Sequence, residues 1–538
     1  MKRRAFLAAL SGGLLASCEV RDGIILPPGD LSGPDMALGH GLRDGTLPAP
    51  TEERRIGVAI IGAGIGGLSA AWRLAGAGDT DVRLFELEQA PGGNARSGRN
   101  DVSAYPLGAH YLPLPSGEAR HVRELLSDLG VLQGDPHAAL PRYDERYLVH
   151  APQERLYRDG LWHDGLLPRA VASARDLGQL KRFEDIVERL RTERGAGGRR
   201  SFAIPSLLAA PGAAADALDR LDMRDWLTRQ GFDSPLLHWV CDYGCRDDYG
   251  ARSHHTSAWA GLHYFASRDG RARDADPHSV LTWPEGNGWL VRRTLDWLAA
   301  RGAAPATTGA LCTRLETASG HAIADIYLAA EKRTVRYRAE RVIWAAPAFV
   351  LARVWRNPPP GFATAAAQIE TSPWLVANLT LDALPDERAG TGLAWDNVLY
   401  DSPALGYVVA THQTVRVGPG PTVLTYYLPL TDLPPQEARA RLASASWHDW
   451  VTPMLAELSK PHPDLRQRLR RIDLWRWPHA MPRPVPGFRG LAARRMLAAL
   501  HGPLLFAHSD LSGLPLFEEA NFAGVRAADL ARGLAPVR

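Results

Sequence analysis

Four cysteines and four lysines in 538 residues are what the chain most obviously lacks. Cys18, Cys241, Cys245 and Cys312 contain no C-x-x-C pair, and the three beyond Cys18 are an odd number. This argues against a disulfide framework and against a zinc site. Cys241 and Cys245, one helical turn apart if that segment is helical, read as small buried hydrophobes. The adjacent histidines of Ser253-His254-His255-Thr256 lack the spacing of metal ligands, and no metal is expected. The net charge is +3 and no long basic run exists, which leaves no electrostatic footprint for nucleic acid. Hydrophobic residues at 45% and charged residues at 22% are ordinary for a globular protein, and the length suggests two domains.

What is present in force is glycine at particular spacings. Val58 to Leu74, VAIIGAGIGGLSAAWRL, reads as a strand, a tight turn and a helix, and VRLFELEQAPGGNARSG as a second strand and a second glycine turn. Gly62, Gly64 and Gly67 stand in the G-x-G-x-x-G register with Gly66 inside it, and Glu86 follows about twenty residues on. Gly62 permits the sharp turn, Gly64 leaves room for a diphosphate at the backbone, and Gly67 lets helix and strand press together. The positive helix N-terminus then faces the phosphates, and the Glu86 carboxylate accepts hydrogen bonds from ribose hydroxyls. A nicotinamide dinucleotide satisfies this first unit as well as FAD does.

The second turn, Pro91-Gly92-Gly93-Asn94-Ala95-Arg96, favours FAD. EQAPGGNARSG resembles the segment that follows the ribose-binding acid in flavin amine oxidases, phytoene desaturases and protoporphyrinogen oxidases. The resemblance implies that Gly92, Gly93 and Asn94 run beside the FAD diphosphate and that Arg96 helps to hold it. Four later segments resemble the same superfamily. Tyr105 to Leu112 corresponds to the stretch beside the flavin ring, which implies close approach at Gly108 and Ala109. The Trp283 to Leu290 segment resembles its PxGG helix, followed by a strand at Ala310 to Leu315 whose backbone would contact adenine at Cys312. Ala339 to Pro347 resembles its VIxAxP strand. Leu504 to Asp529 resembles the closing strand and helix, which implies that Asp510 lies near the ribityl-diphosphate and that Glu518 and Glu519 cap the helix start.

The expected fold class is α/β, a Rossmann-like FAD-binding domain with a mixed α+β substrate domain, discontinuous in sequence. The expected division is 55–114, 281–347 and 491–538 for the FAD domain, and 115–280 and 348–490 for the substrate domain, with 19–54 as a linker. Residues 1–18 read as a signal peptide. Arg3-Arg4-x-Phe-Leu resembles a twin-arginine signal and Leu15-Ala16-Ser17-Cys18 a lipoprotein cleavage box. Export with FAD already loaded, periplasmic localisation and a membrane tether through lipidated Cys18 are therefore expected.

Candidate catalytic residues are His110, Trp477 and His479. His110 reads either as a group lying against the flavin ring or as a buried, hydrogen-bonded histidine. Trp475, Trp477 and His479 alternate, so in a strand they share one face, as a substrate-pocket wall or as core. The lysine common in amine oxidases is missing from Ser372 to Thr380, where Ala377 or Asn378 takes its place. Three functions stay open. One is an FAD oxidoreductase taking two electrons from a small-molecule amine or related C–H donor, with oxygen or quinone as acceptor. The others are a desaturase that reduces quinone, and a non-catalytic binding protein on the same fold, as in the Rab GDP-dissociation inhibitors.

Overall fold

The computed structural model describes residues 26–535 apart from 168, 277, 389, 417 and 419. The signal and lipoprotein motifs lie outside the described residues. Two sheets organise the chain. The six-stranded sheet runs in the order Ala310–Ala318, His321–Leu328, Arg333–Trp344, Pro50–Ile61, Val82–Phe85, with Leu504–Phe506 also paired to Arg333–Trp344. Phe85, Ile61, Trp344 and Phe506 are register partners in turn, so four parallel strands end at one level. The carboxyl edge of such a parallel sheet is where open α/β folds bind ligands. Helices Ile65–Gly76 and Phe517–Ala531 both start just beyond that edge and pack on each other. Their contact depends on glycine, because a Cβ on Gly524 would lie 2.1 Å from the Gly66 carbonyl oxygen.

The eight-stranded sheet is built from Leu31–Ser32, Leu469–Pro482, Thr371–Leu381, Thr422–Pro429, Gly406–Val409, Asp396–Leu399, Glu154–Arg158 and Leu161–Asp164 in that spatial order. Its pairs are mostly antiparallel, with parallel pairing at Leu31–Ser32 and between Asp396–Leu399 and Glu154–Arg158. The fold class read from the sequence is the one found.

Several local readings need correction. The segment 19–54 is not all linker: Leu31–Ser32 is a strand of the eight-stranded sheet, Met36–Asp44 is helical, and the strand Pro50–Ile61 begins inside it. Helix Arg120–Asp128 buries Val122, Leu125 and Leu126 against Trp72, Trp289 and Val525, so it packs with the dinucleotide-binding layer. Residues 435–458 form two helices, Pro435–Ser444 and Trp447–Leu458. Ser446 and Asp449 form a capping box that starts the second one. Among the described residues, no helix is long and apolar enough to cross a membrane.

Candidate active site

The two glycine turns close on one another at the carboxyl edge of the six-stranded sheet. Gly62 leaves its strand with φ +102°, and its N–H donates to the Phe85 carbonyl at 2.8 Å. A Cβ at Gly62 would sit 2.8 Å from the Ala345 carbonyl oxygen. Gly92, with φ +129°, donates its N–H to the Ala63 carbonyl at 2.8 Å, which docks the second turn on the first. A Cβ on Gly64 would meet nothing nearer than the Gly93 Cα at 3.9 Å, so the space in front of it is open. Gly66 and Gly67 are packing positions instead. A Cβ on either would come within 1.9 Å of a carbonyl oxygen, that of Ala507 and that of Gly62 respectively.

No side chain caps the start of helix Ile65–Gly76, and none caps that of Phe517–Ala531. A helix start leaves N–H groups without intrahelical partners, and such groups form an anion site. Gly64, Gly66, Leu516, Phe517 and Glu518 line a single cavity of about 1630 Å³, so both helix starts open into the same space. Pockets for drug-sized ligands measure about 300–1,000 Å³. The cavity therefore has room for a large cofactor and a second molecule beside it.

Glu86 is buried, with one carboxylate oxygen accepting from the Ala63 N–H at 2.7 Å and the other from the Glu88 N–H at 3.0 Å. Burial pushes its pKa up and the two N–H donors pull it back. An ionised carboxylate offers about four acceptor sites, so capacity remains for hydroxyls in the cavity. The Ala310 N–H donates to the Glu86 carbonyl at 2.8 Å, which sets Cys312 at the same end of the cavity. The Cys312 thiol itself turns to the Arg314 carbonyl at 3.4 Å. The Asn94 carbonyl accepts the Ala109 N–H at 2.8 Å, and its side-chain amide donates to the Ala480 carbonyl, holding Gly108 and Ala109 at the cavity wall.

Arg96 does not line the cavity. It pairs with Glu88 at 3.2 Å and stacks over Trp475 at 4.8 Å. Glu518 and Glu519 do not cap their helix. Glu518 points into the cavity, where burial pushes its carboxyl up to about 7. Glu519 is drawn away to accept the Ser206 N–H at 2.6 Å. Asp510 lines the cavity and accepts the Ala348 N–H at 2.8 Å. Burial raises its carboxyl, but His508 beside it and that N–H outweigh burial and hold it below the usual range.

At the other end stands an aromatic wall. His110 stacks on Tyr427 with ring centroids 4.4 Å apart, and Tyr111 and Trp395 lie 5.0 and 5.6 Å from it. Burial lowers the His110 pKa to about 3, which leaves the imidazole neutral at neutral pH. The Tyr427 hydroxyl donates to the Gly108 carbonyl at 3.0 Å, so this wall is fixed to the backbone at Gly108. The Trp477 indole donates to the Leu107 carbonyl at 2.6 Å. His479 accepts from or donates to the Thr371 hydroxyl at 2.9 Å and packs on Phe349. Burial lowers its pKa to about 4, so it is neutral as well. Trp477 and His479 line the cavity, whereas Trp475 stands behind under Arg96. On the strand Thr371–Leu381 it is Thr371, Trp374 and Val376 that reach the cavity. Asn378 turns instead to Pro106 and Thr425, and Ala377 packs in the core on the other face.

Four acids near the aromatic wall were not singled out from the sequence. Glu154, Asp247, Asp248 and Asp396 all line the cavity. Asp248 pairs with Arg268 at 2.5 Å, and Asp247 receives the Tyr111 hydroxyl at 3.2 Å. A signal for Glu154 was available, since Asp159-Gly160 between apolar residues is a hairpin signature and both residues have positive φ. Among the described residues, no cluster of three ligating side chains could hold a metal ion.

Residues 60–129 match the NAD(P)-binding Rossmann-like domain. Over 104 residues the chain is 35% identical to the zeta-carotene-forming phytoene desaturase of Myxococcus xanthus, which is 19% of each protein. The chain thus matches about a fifth of that curated relative's length. Whole-chain likeness comes from solved structures. Wild-type putrescine oxidase bound to putrescine superposes with a TM-score of 0.64 at 16% identity, covering 88% of this chain and 98% of that one. The fold is that of the flavin amine oxidases. Cyclohexylamine oxidase from Brevibacterium oxydans has the same likeness, with a TM-score of 0.62 at 16% identity over 89% and 99% of the two chains.

Proposed function

We propose that the protein is an FAD-dependent oxidoreductase that takes two electrons from a small-molecule amine. The observation that carries this reading is one continuous cavity with two uncapped helix starts and a buried ribose-type acid at one end, and an aromatic, acid-lined chamber at the other. The residues present fit FAD. Gly64, Gly93 and the first turn of helix Ile65–Gly76 would hold the diphosphate, and Glu86 the adenosine ribose. The strand at Cys312 would meet adenine, and Gly108 and Ala109 the ring. When bound, FAD supplies two-electron chemistry at a donor carbon.

The chain's own residues do the rest. His110, Tyr427, Trp395 and Trp477 form a wall that excludes water and orients the donor. Neutral His110 and His479 place no positive charge where a cationic amine must enter, while the Asp247 carboxyl, which accepts the Tyr111 hydroxyl, lines the same chamber and can pair with it. The amine loses two electrons and two protons to become an imine, which water hydrolyses. The electrons leave to oxygen or a quinone.

The desaturase reading draws support from the phytoene desaturase match, but that match is confined to a fifth of the chain, and an acid-lined chamber suits a cation better than a hydrocarbon. Anaerobic titration separates the two: amines are expected to bleach the flavin and apolar polyenes are not, and the reverse pattern would overturn the amine reading.

Periplasmic export and tethering through Cys18 belong to the same proposal and rest on residues 2–18 of the sequence. Cys18→Ala is expected to move the protein from the membrane fraction to the soluble periplasmic fraction, with flavin content unchanged. Equal membrane retention would remove the tether from the account.

A further inference from the structure

The segment that precedes strand Pro50–Ile61 is joined to both sheets. Residues 28–32 lie along the strand Leu469–Pro482. The Ile472 N–H donates to the Pro28 carbonyl at 3.0 Å, and the Leu474 N–H to the Asp30 carbonyl at 2.8 Å. Leu31 and Ser32 are register partners of Leu474 and Trp475. The contact is close, since a Cβ on Gly29 would lie 1.7 Å from the Ile472 carbonyl oxygen. Three residues past Ser32, at most about 10 Å of chain, the Asp35 N–H donates to one carboxylate oxygen of Glu88 at 3.0 Å. The other oxygen pairs with Arg96 at 3.2 Å, and Arg96 stacks over Trp475. Ser32, Trp475, Arg96, Glu88 and Asp35 therefore close a ring of contacts behind the second glycine turn, which ends at Arg96. Glu88 also lines the cavity, and its N–H holds the Glu86 carboxylate at 3.0 Å. The chain continues as helix Met36–Asp44, where Leu42 packs against the core of the six-stranded sheet. The Thr334 hydroxyl then donates to the Pro48 carbonyl at 2.6 Å.

We propose that residues 28–35 are a clasp for the cofactor, holding the loop of Glu86 and the second glycine turn in place over FAD. This rests on the FAD reading of the cavity and adds to it a segment that lies outside the cavity wall. None of residues 28–35 lines the cavity, so the segment acts through Glu88 and Arg96, which are positioning residues. The Glu88 carboxylate accepts a backbone N–H on one side and a guanidinium on the other, and both bonds are charge-assisted. Lifting the segment removes the first bond. Glu88 then no longer fixes Arg96, nor the backbone N–H that orients Glu86. A ligand that needs the closed form stabilises it, and by reciprocity an open clasp weakens that ligand by the same factor.

The test is amide hydrogen exchange of the full chain with and without FAD, beside FAD affinity. The Ile472, Leu474 and Asp35 amides report the clasp, since each donates across its contact. Saturating FAD is expected to slow their exchange about tenfold relative to amides of the same strand that bond to Thr371–Leu381. Gly29→Ala drives a methyl group into the Ile472 carbonyl. It is expected to free the Ile472 and Leu474 amides and to weaken FAD about tenfold. Asp35→Pro deletes the N–H facing Glu88 at a φ of −68° that proline adopts, and a similar loss is expected. Gly39→Ala is the control: its Cβ meets nothing within 4 Å, and FAD affinity is expected to stay within about twofold. Exchange that FAD does not slow selectively would overturn the proposal, and wild-type protein alone decides that. Full FAD affinity in a variant whose amides exchange freely would overturn it too, as would amides that stay protected in both variants. FAD uptake is read separately. Protein that takes up no FAD removes the cofactor reading and the clasp together, while tight FAD with an indifferent segment removes the clasp alone.

Discussion

Gly64→Val protein is expected to purify folded and colourless. Gly64 starts its helix with φ −71° and ψ −175°, an extended conformation that valine adopts readily. No described atom other than the Gly93 Cα lies within 4 Å of the added Cβ. The fold therefore loses only the preference of helix starts for small or capping residues, about 1 kcal/mol. The valine methyl groups fill the space in front of the turn, which is where a diphosphate must meet the backbone N–H groups. FAD affinity is expected to fall by about 100-fold or more. The measurement is flavin absorbance per polypeptide together with the melting temperature of apoprotein. A yellow Gly64→Val protein would mean that the cofactor's phosphates lie elsewhere.

Gly67→Ala tests the opposite kind of glycine. Its Cβ would sit 1.9 Å from the Gly62 carbonyl oxygen and 3.3 Å from the Ala345 Cβ, and the first of these is backbone in a tight turn that cannot swing aside. The helix would have to move off the sheet. The expected cost is about 1–3 kcal/mol or more, the same in apoprotein and holoprotein because the damage precedes the ligand. Thermal unfolding of both forms checks it. The pair of variants separates binding from folding: one glycine loses the cofactor at nearly constant stability, and the other loses stability with or without cofactor. An apoprotein whose melting temperature is unmoved by Gly67→Ala would contradict the packing described here.

The sequence carried the cofactor end of the site far better than the substrate end, and the reason is locality. Gly62, Gly64, Gly67, Glu86, Gly92 and Gly93 lie within one short stretch, where spacing alone dictates what a turn, a helix start and a strand end can do. Asn94, Gly108, Ala109, Cys312 and Asp510 were legible by resemblance, and all of them line the cavity. Arg96 and Glu519 sit in the expected segments but point elsewhere, since a side chain's direction depends on partners such as Glu88 and Ser206 that no local pattern reveals. Asp396 and Glu154 were hidden for a different reason. They come from strands far apart in sequence, and the parallel register that sets them side by side exists only in the assembled sheet.

The proposed function requires that this chain fold around FAD and use it on a cationic amine. The most direct measurement is an absorption spectrum of protein purified from flavin-replete cells, recorded without oxygen before and after addition of mono- and diamines. Yellow protein that bleaches on addition and regains its colour when oxygen or a quinone is admitted is the expected result. Colourless protein that takes up no added FAD would contradict the proposed function at its root.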